Sequence, residues 1–131
     1  MKKIALISLV FVIISSCNNE DMLKVDNSWN LVKVTGGFAG IDENFDKGEI
    51  KWTFNEGNST LKVVKNTTEP YSGIAEGTYL YSILSNSDHF YLIIDSQEKG
   101  GIITTGSFME VDENKQSTGA GADGFIYHFE K

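Results

Sequence analysis

Four groups of residues have types and spacings on which chemistry could be built. Gly119-Ala120-Gly121-Ala122-Asp123-Gly124 matches the pattern Gly-x-Gly-x-x-Gly, which brings backbone amides to a pyrophosphate when a strand precedes it and a helix follows. Here the polar run Asp112-Glu113-Asn114-Lys115-Gln116 precedes it and an alternating segment follows, so the glycines read as a flexible loop. Asp42, Asn44 and Asp46 have the 1, 3, 5 spacing of a calcium loop. The turn glycine arrives one residue late, at Gly48, and Thr53 stands where a bidentate glutamate belongs. A solvated acidic hairpin loop is the reading preferred to weak calcium binding, and no metal site is assigned. His89 enters a strand beside Asp88, while His128 alternates with Tyr127 and Phe129 and so faces solvent. No Gly-x-Ser-x-Gly elbow supports a nucleophile, and no catalytic residue is assigned. The last group is aromatic: Trp29, Trp52, Phe54, Tyr79, Tyr81, Phe90, Phe125, Tyr127 and Phe129. Around a cavity they would make an apolar pocket whose hydroxyls orient a small ligand. Packed together they would simply fill a barrel. Trp29, Trp52, Phe54, Tyr79, Tyr81, Phe90 and Tyr127 are the candidate ligand-binding residues, and Trp52 and Phe54 belong to the core under either reading.

Composition narrows the partners. Eighteen acidic residues stand against eleven basic ones, all of them lysines, for a formal net charge of −7 over 131 residues. An acidic chain without arginine lacks the basic footprint of a nucleic-acid binder. Apolar residues make up 40% and charged residues 22%, which is globular composition at single-domain length. Thirteen glycines, one proline and fifteen aromatics suit a turn-rich β protein. No cofactor is implied, and the reading is non-enzymatic.

The amino terminus reads as an address. Lys2 and Lys3 precede an apolar run over residues 4–14, which as a helix would span about 16 Å, half of a bilayer core and the length of a secretory signal. Ile14-Ser15-Ser16-Cys17 follows and resembles the bacterial lipoprotein box. The resemblance implies cleavage before Cys17, lipidation of its thiol and acylation of the new terminus. Several acyl chains on one residue give stable membrane anchoring. The chain thus divides into a signal peptide (1–16), a lipidated cysteine with a polar tether (17–27) and a folded domain (28–131). Asn18-Asn19-Glu20-Asp21 is similar to the acidic export signal of Bacteroidota surface lipoproteins. The expected location is the outer membrane, on its periplasmic face or at the cell surface, with the membrane as partner through Cys17. Removal of Lys2 and Lys3 leaves nine lysines against eighteen acids, a net charge of −9.

Short alternating segments fill the remainder. Strands are expected over residues 29–35, 49–55, 61–65, 78–84, 89–95, 102–111 and 125–130, with 38–41 available as an eighth. Spacing of about ten residues, with Gly, Asn and Ser turns, indicates an all-β antiparallel meander. A small up-and-down barrel of about eight strands is favoured, because closure protects edges that little proline guards; a β-sandwich is the alternative.

Trp29-Asn30-Leu31-Val32, Ile50-Lys51-Trp52-Thr53-Phe54-Asn55 and Gly77-Thr78-Tyr79-Leu80-Tyr81 together resemble the lipocalin-like lipoproteins of Bacteroidota. The resemblance implies a calycin-type barrel whose first-strand tryptophan closes one end, and a small apolar or amphipathic ligand held inside. Lipocalins pack an arginine over that tryptophan, and this chain has none. A surface protein-interaction or inhibitor module with a solid core is the alternative function. Replacing Cys17 with Ser should leave an unprocessed or soluble precursor, detected by fractionation and mass spectrometry; normal membrane-bound mature protein would refute the lipidation reading.

Overall fold

The computed structural model describes residues 23–25 and 27–131; the leader, the lipoprotein box and Cys17 lie outside the described residues. Alternation builds the strands. In β1 (Asn27–Gly36) Trp29, Leu31 and Val34 are buried, and β2 (Ile41–Asn44) is short and largely open. β3 (Ile50–Asn55) buries Ile50, Trp52 and Phe54 between exposed Lys51 and Asn55, and β4 (Thr60–Lys65) buries Leu61 and Val63. β5 (Gly77–Asn86), β6 (His89–Ile94), β7 (Gln97–Thr105) and β8 (Phe108–Asp112) follow as successive hairpins. β9 (Lys115–Gln116) and β10 (Gly119–Ala120) form a separate two-stranded ribbon, and β11 (Phe125–Glu130) ends the chain.

β11 returns to β1, placing Asn30 opposite Glu130 and Gly36 opposite Phe125, and this closes the sheet. The result is the expected all-β architecture: an antiparallel up-and-down barrel of β1, β3, β4, β5, β6, β7, β8 and β11. β2 is an additional strand that pairs the upper half of β1, beyond the part that pairs β3. The strand expected over 38–41 is thus found three residues later, over 41–44, because 37–40 form a turn with Gly37 and Gly40 at positive φ. The single strand expected over 102–111 is a hairpin instead. Gly106 and Ser107 make its turn, with Gly106 at φ 57, so the eighth barrel strand comes from there. The expected flexible loop before β11 carries the ribbon, and Gly124 lies where a Cβ would stand 2.6 Å from Cβ of Glu113. The domain also starts earlier than residue 28: Val25 belongs to the core and Leu23 packs against it at the lower end.

Inside, Trp52 lies 4.8 Å from Phe129 and 6.4 Å from Tyr127 between ring centroids, and Phe54 meets the edge of Tyr81 at 5.0 Å. Leu31, Ile50, Trp52, Leu61, Leu92 and Val111 have no accessible surface at all. A void wide enough for one water would give its lining some, so the interior around these residues is packed solid. Trp29 is also buried near the lower end, and the ammonium of Lys131 stands 4.9 Å over its ring, within cation–π range.

Two substitutions, with a third as control, test this packing by chemical denaturation. Trp52→Ala should cost about 3–5 kcal/mol, as a large aromatic truncated without room to collapse. A Cβ at Gly100 would stand 2.2 Å from the carbonyl oxygen of Asp112, so Gly100→Ala should cost at least about 2 kcal/mol. Gly106→Ala, with open space around it, should cost only about 1 kcal/mol for its left-handed backbone.

Candidate functional site

The upper end of the barrel carries a cluster of polar side chains, and two backbone features place them. Asp95 and Ser96 both have positive φ (47 and 66), the conformation of a tight two-residue hairpin turn. Just beyond, Leu92 pairs with Gly100 but Ile93 pairs with Glu98, so Lys99 is the extra residue of a β-bulge. The bulge aims Lys99 at the barrel mouth, with its ammonium 4.8 Å over the Tyr127 ring. Gly100 is required next to it because β7 there runs against the Asp112 carbonyl.

Glu113 is the hub of the cluster. One carboxylate oxygen accepts from the Lys99 ammonium and from the Tyr127 hydroxyl at 2.9 Å; the other accepts the Phe125 N–H at 2.8 Å. Lys99 also reaches the Tyr127 oxygen at 3.3 Å. Burial by itself pushes the Glu113 carboxyl up, but the hydrogen bonds from Lys99 and Phe125, the Lys99 charge and the Tyr127 hydroxyl outweigh it and hold the group below its ordinary value. Burial first, then the Glu113 charge and hydrogen bond, drive the Tyr127 phenol far above its usual range. Glu113 therefore stays ionised and Tyr127 protonated at neutral pH.

The connection between β4 and β5, residues 66–76, folds over this end as a lid. Lys65 is on the inward row of β4 with Leu61 and Val63, and its ammonium donates to Ser72 Oγ at 3.0 Å and to the Gly73 carbonyl at 3.3 Å. Desolvation lowers the Lys65 pKa, partly offset by the charge of Glu76. Buried Ser72 donates to the Glu69 carbonyl at 2.7 Å, and Tyr79 donates to the Ala75 carbonyl at 2.7 Å. At Gly73, φ +79, even a Cβ would lie only 3.5 Å from the Tyr127 ring. Tyr71 completes the cover by packing against Phe125 at 5.9 Å.

Between the lid and the β6–β7 turn lies an open cleft of about 500 Å³. Ile74, Ala75, Tyr79 and Ile94 supply its apolar side, and Lys99, Glu113, Glu98 and Gln116 its polar side. The rim carboxylates already hold the chain: Asp95 accepts the Leu80 N–H at 2.9 Å, and Glu98 accepts both the N–H and the hydroxyl of Ser117 at 2.6 Å.

The aromatic residues singled out in the sequence do not meet in one pocket. Trp29, Trp52, Phe54 and Tyr127 are buried core. Half-buried Tyr79 lines the cleft, Tyr81 a depression at the lower end, and Phe90 another on the β6–β7 side. The indole N–H groups of Trp29 and Trp52 have no partner among the described residues, yet Trp52 adjoins no water-sized space. His128 hydrogen-bonds Thr35 Oγ1 at 3.3 Å and lies 3.5 Å from Glu110, while His89 is exposed. Asp42 and Asn44, expected in an acidic loop, lie in β2 instead because they pair with β1, and Asp42 meets Lys33 at 3.0 Å. Lys99, Glu113, Glu98 and Ile74 are site residues that alternation could not reveal, since Glu98 and Lys99 sit at the β7 bulge and Glu113 and Ile74 in loops. The one local signal was Lys99 directly before Gly100-Gly101. Comparison of the chain with family models, curated proteins and solved structures gave no match.

A carboxyl held below its ordinary 4.5 in the fold contributes stability above that pH and loses it as the pH falls through the folded value. Glu113→Gln should therefore cost about 2 kcal/mol at pH 7, with Lys99 left unpaired. It should also flatten the acid limb of a thermal-stability profile between pH 5 and lower values; an acid limb as steep as wild type would refute the assignment.

Proposed function

We propose that this chain is a lipid-anchored, lipocalin-like binding module that takes a small amphipathic ligand at the rim of its barrel and not within it. The carrying observation is the pairing of a solid interior with a cleft of about 500 Å³ at the lid end. That volume falls in the range of small-molecule sites, and its mix of apolar wall and convergent polar groups is the usual composition of one. Anchoring rests on Ile14-Ser15-Ser16-Cys17, and the outer membrane is the compartment that this sequence favours. The lipocalin-like reading gains support from Lys131, which covers Trp29 with a cation where that family uses arginine.

The alternative, a protein-interaction module, is favoured by the same solid core together with large apolar side chains left exposed, Phe38 above all at 93%. A loop-tip aromatic of that kind makes a ready anchor for a partner protein.

Native mass spectrometry separates the two. Protein purified from its own host should retain a small molecule, and Ala75→Trp, placed at the exposed edge of the cleft, should lose it while keeping thermal stability within about 0.5 kcal/mol of wild type. An empty wild-type protein that also binds nothing from a panel of amphipathic compounds would overturn the ligand reading.

A further inference from the structure

We infer that the outer face of β5, β6 and β7 lies against the phospholipid surface to which the chain is anchored. In a barrel with a filled core, outward positions should be polar, and on β3 and β4 they are, with Lys51, Asn55, Thr60 and Lys62, apart from half-buried Val64 opposite Lys51. The other side differs. Leu80 and Leu84 on β5 are 65% and 43% exposed, and Ile103 on β7 is 54% exposed. Half-buried Ile93 joins them from β6, since Leu92 and Ile94 are its inward neighbours. Register brings these together: Ser82 is opposite Ile93, Leu84 is opposite Tyr91, and Tyr91 is opposite Gly101. Phe108 on β8, 57% exposed, extends the face next to the Gly106–Ser107 turn.

Strands that are apolar on both faces are ordinarily covered on both faces. β6 reads Phe90-Tyr91-Leu92-Ile93-Ile94 without a break; the β9–β10 ribbon packs over β7 at Gly101, where a Cβ would stand 2.9 Å from Cβ of Lys115, yet Leu80 and Leu84 on β5 stay open. Charge points the same way. In a chain with eighteen acids, residues 77–94 contain one, Asp88 at the hairpin tip. The β5 and β6 part of the face therefore escapes the repulsion that the rest of the domain would meet at anionic headgroups, and carboxylates border it only at Glu98, opposite Ile93, and Glu110, opposite Ile103.

The tether identifies the occupant as lipid. Leu23, Lys24 and Val25 run beside Tyr81, Ser82 and Ile83 of β5 at the lower end. Five residues lie between Cys17 and Leu23, a reach of about 20 Å over the six Cα–Cα steps at full extension. An acylated Cys17 thus holds the β5 side within one short leash of the bilayer. Side-on docking leaves the lid-end cleft at the edge of the contact, open to water.

This inference rests on the lipidation of Cys17, so the test treats the two separately. Lipidation consumes the only natural thiol, and Leu84→Cys, Ile103→Cys and Lys51→Cys then each carry one labelling site. Each labelled protein is placed in phosphatidylethanolamine vesicles containing spin-labelled lipid. Quenching should be several-fold stronger at positions 84 and 103 than at 51. Equal quenching at all three, or the strongest at 51, would overturn the inference. Concentration-dependent shielding of 84 and 103 without vesicles would overturn it in favour of a second copy of the chain. The mass of the mature protein reports acylation independently. Where Cys17 proves unmodified, the Cys17→Ser chain with an amino-terminal histidine tag on nickel-chelating vesicles tests the same face, with the same outcomes decisive.

Discussion

Closure of the sheet by β11 on β1 is the constraint to which the rest of the molecule answers. β1 must pair β11 along one edge while its other edge serves β3 below and β2 above. A single strand turns that corner by inserting a residue. Leu31 faces Phe129 and Lys33 faces His128, leaving Val32 as the extra residue, whose carbonyl accepts the Phe45 N–H at 2.9 Å. The bulge resets the alternation, so Leu31 and Val34 both enter the core and Lys33 turns out toward Asp42. The bulge at Lys99 does the corresponding work on β7. Bulges of this kind bend strands at barrel rims and re-aim side chains there. Without closure, β1 and β11 would each present an open row of backbone donors and acceptors.

Where the chain keeps strict period two, the fold was legible from its sequence. Ile50, Trp52 and Phe54 alternate with Lys51, Thr53 and Asn55, and the structure buries the first set and leaves the second outside or half-covered. Legibility stopped where the period slips. Glycine punctuates the hairpin at Gly106 no more strongly than it does inside β7 at Gly100 and Gly101, so β7 and β8 read as one strand beginning too late. What separates these glycines is tertiary: Gly106 has open space around it, whereas Gly100 abuts Asp112. The site suffered most, because Lys99 reaches Glu113 through a bulge and Glu113 reaches Phe125 across a twelve-residue interval that carries no periodic signal.

A solid interior moves recognition outward. The lower end is stopped by Val25 and Leu23, and the upper end is covered by the lid that Lys65, Ser72 and Tyr79 pin down. In larger barrels the interior can be a container; here the aromatic side chains that could have lined one pack against each other instead. Any binding surface must then lie on the rim or the outer wall. The outer wall is itself divided, with lysines and short polar residues over β3 and β4 and aliphatic ones over β5 to β7.

The division explains how the cleft can combine a rigid frame with modest chemistry. Its polar groups are already committed: Glu113 binds Lys99, Tyr127 and the start of β11, Glu98 holds the ribbon through Ser117, and Asp95 fastens the β6–β7 turn to Leu80. Each of these bonds ties a loop to the barrel, and each leaves acceptor capacity on the carboxylate oxygens. A ligand entering the cleft would keep those bonds and add to them, gaining affinity from Ile74, Tyr79 and Ile94 and orientation from oxygens that are already fixed. Such a site pays little ordering cost on binding. The network that closes the top of the barrel and the surface that could recognise a ligand are the same set of side chains, so the stability of one sets the precision of the other.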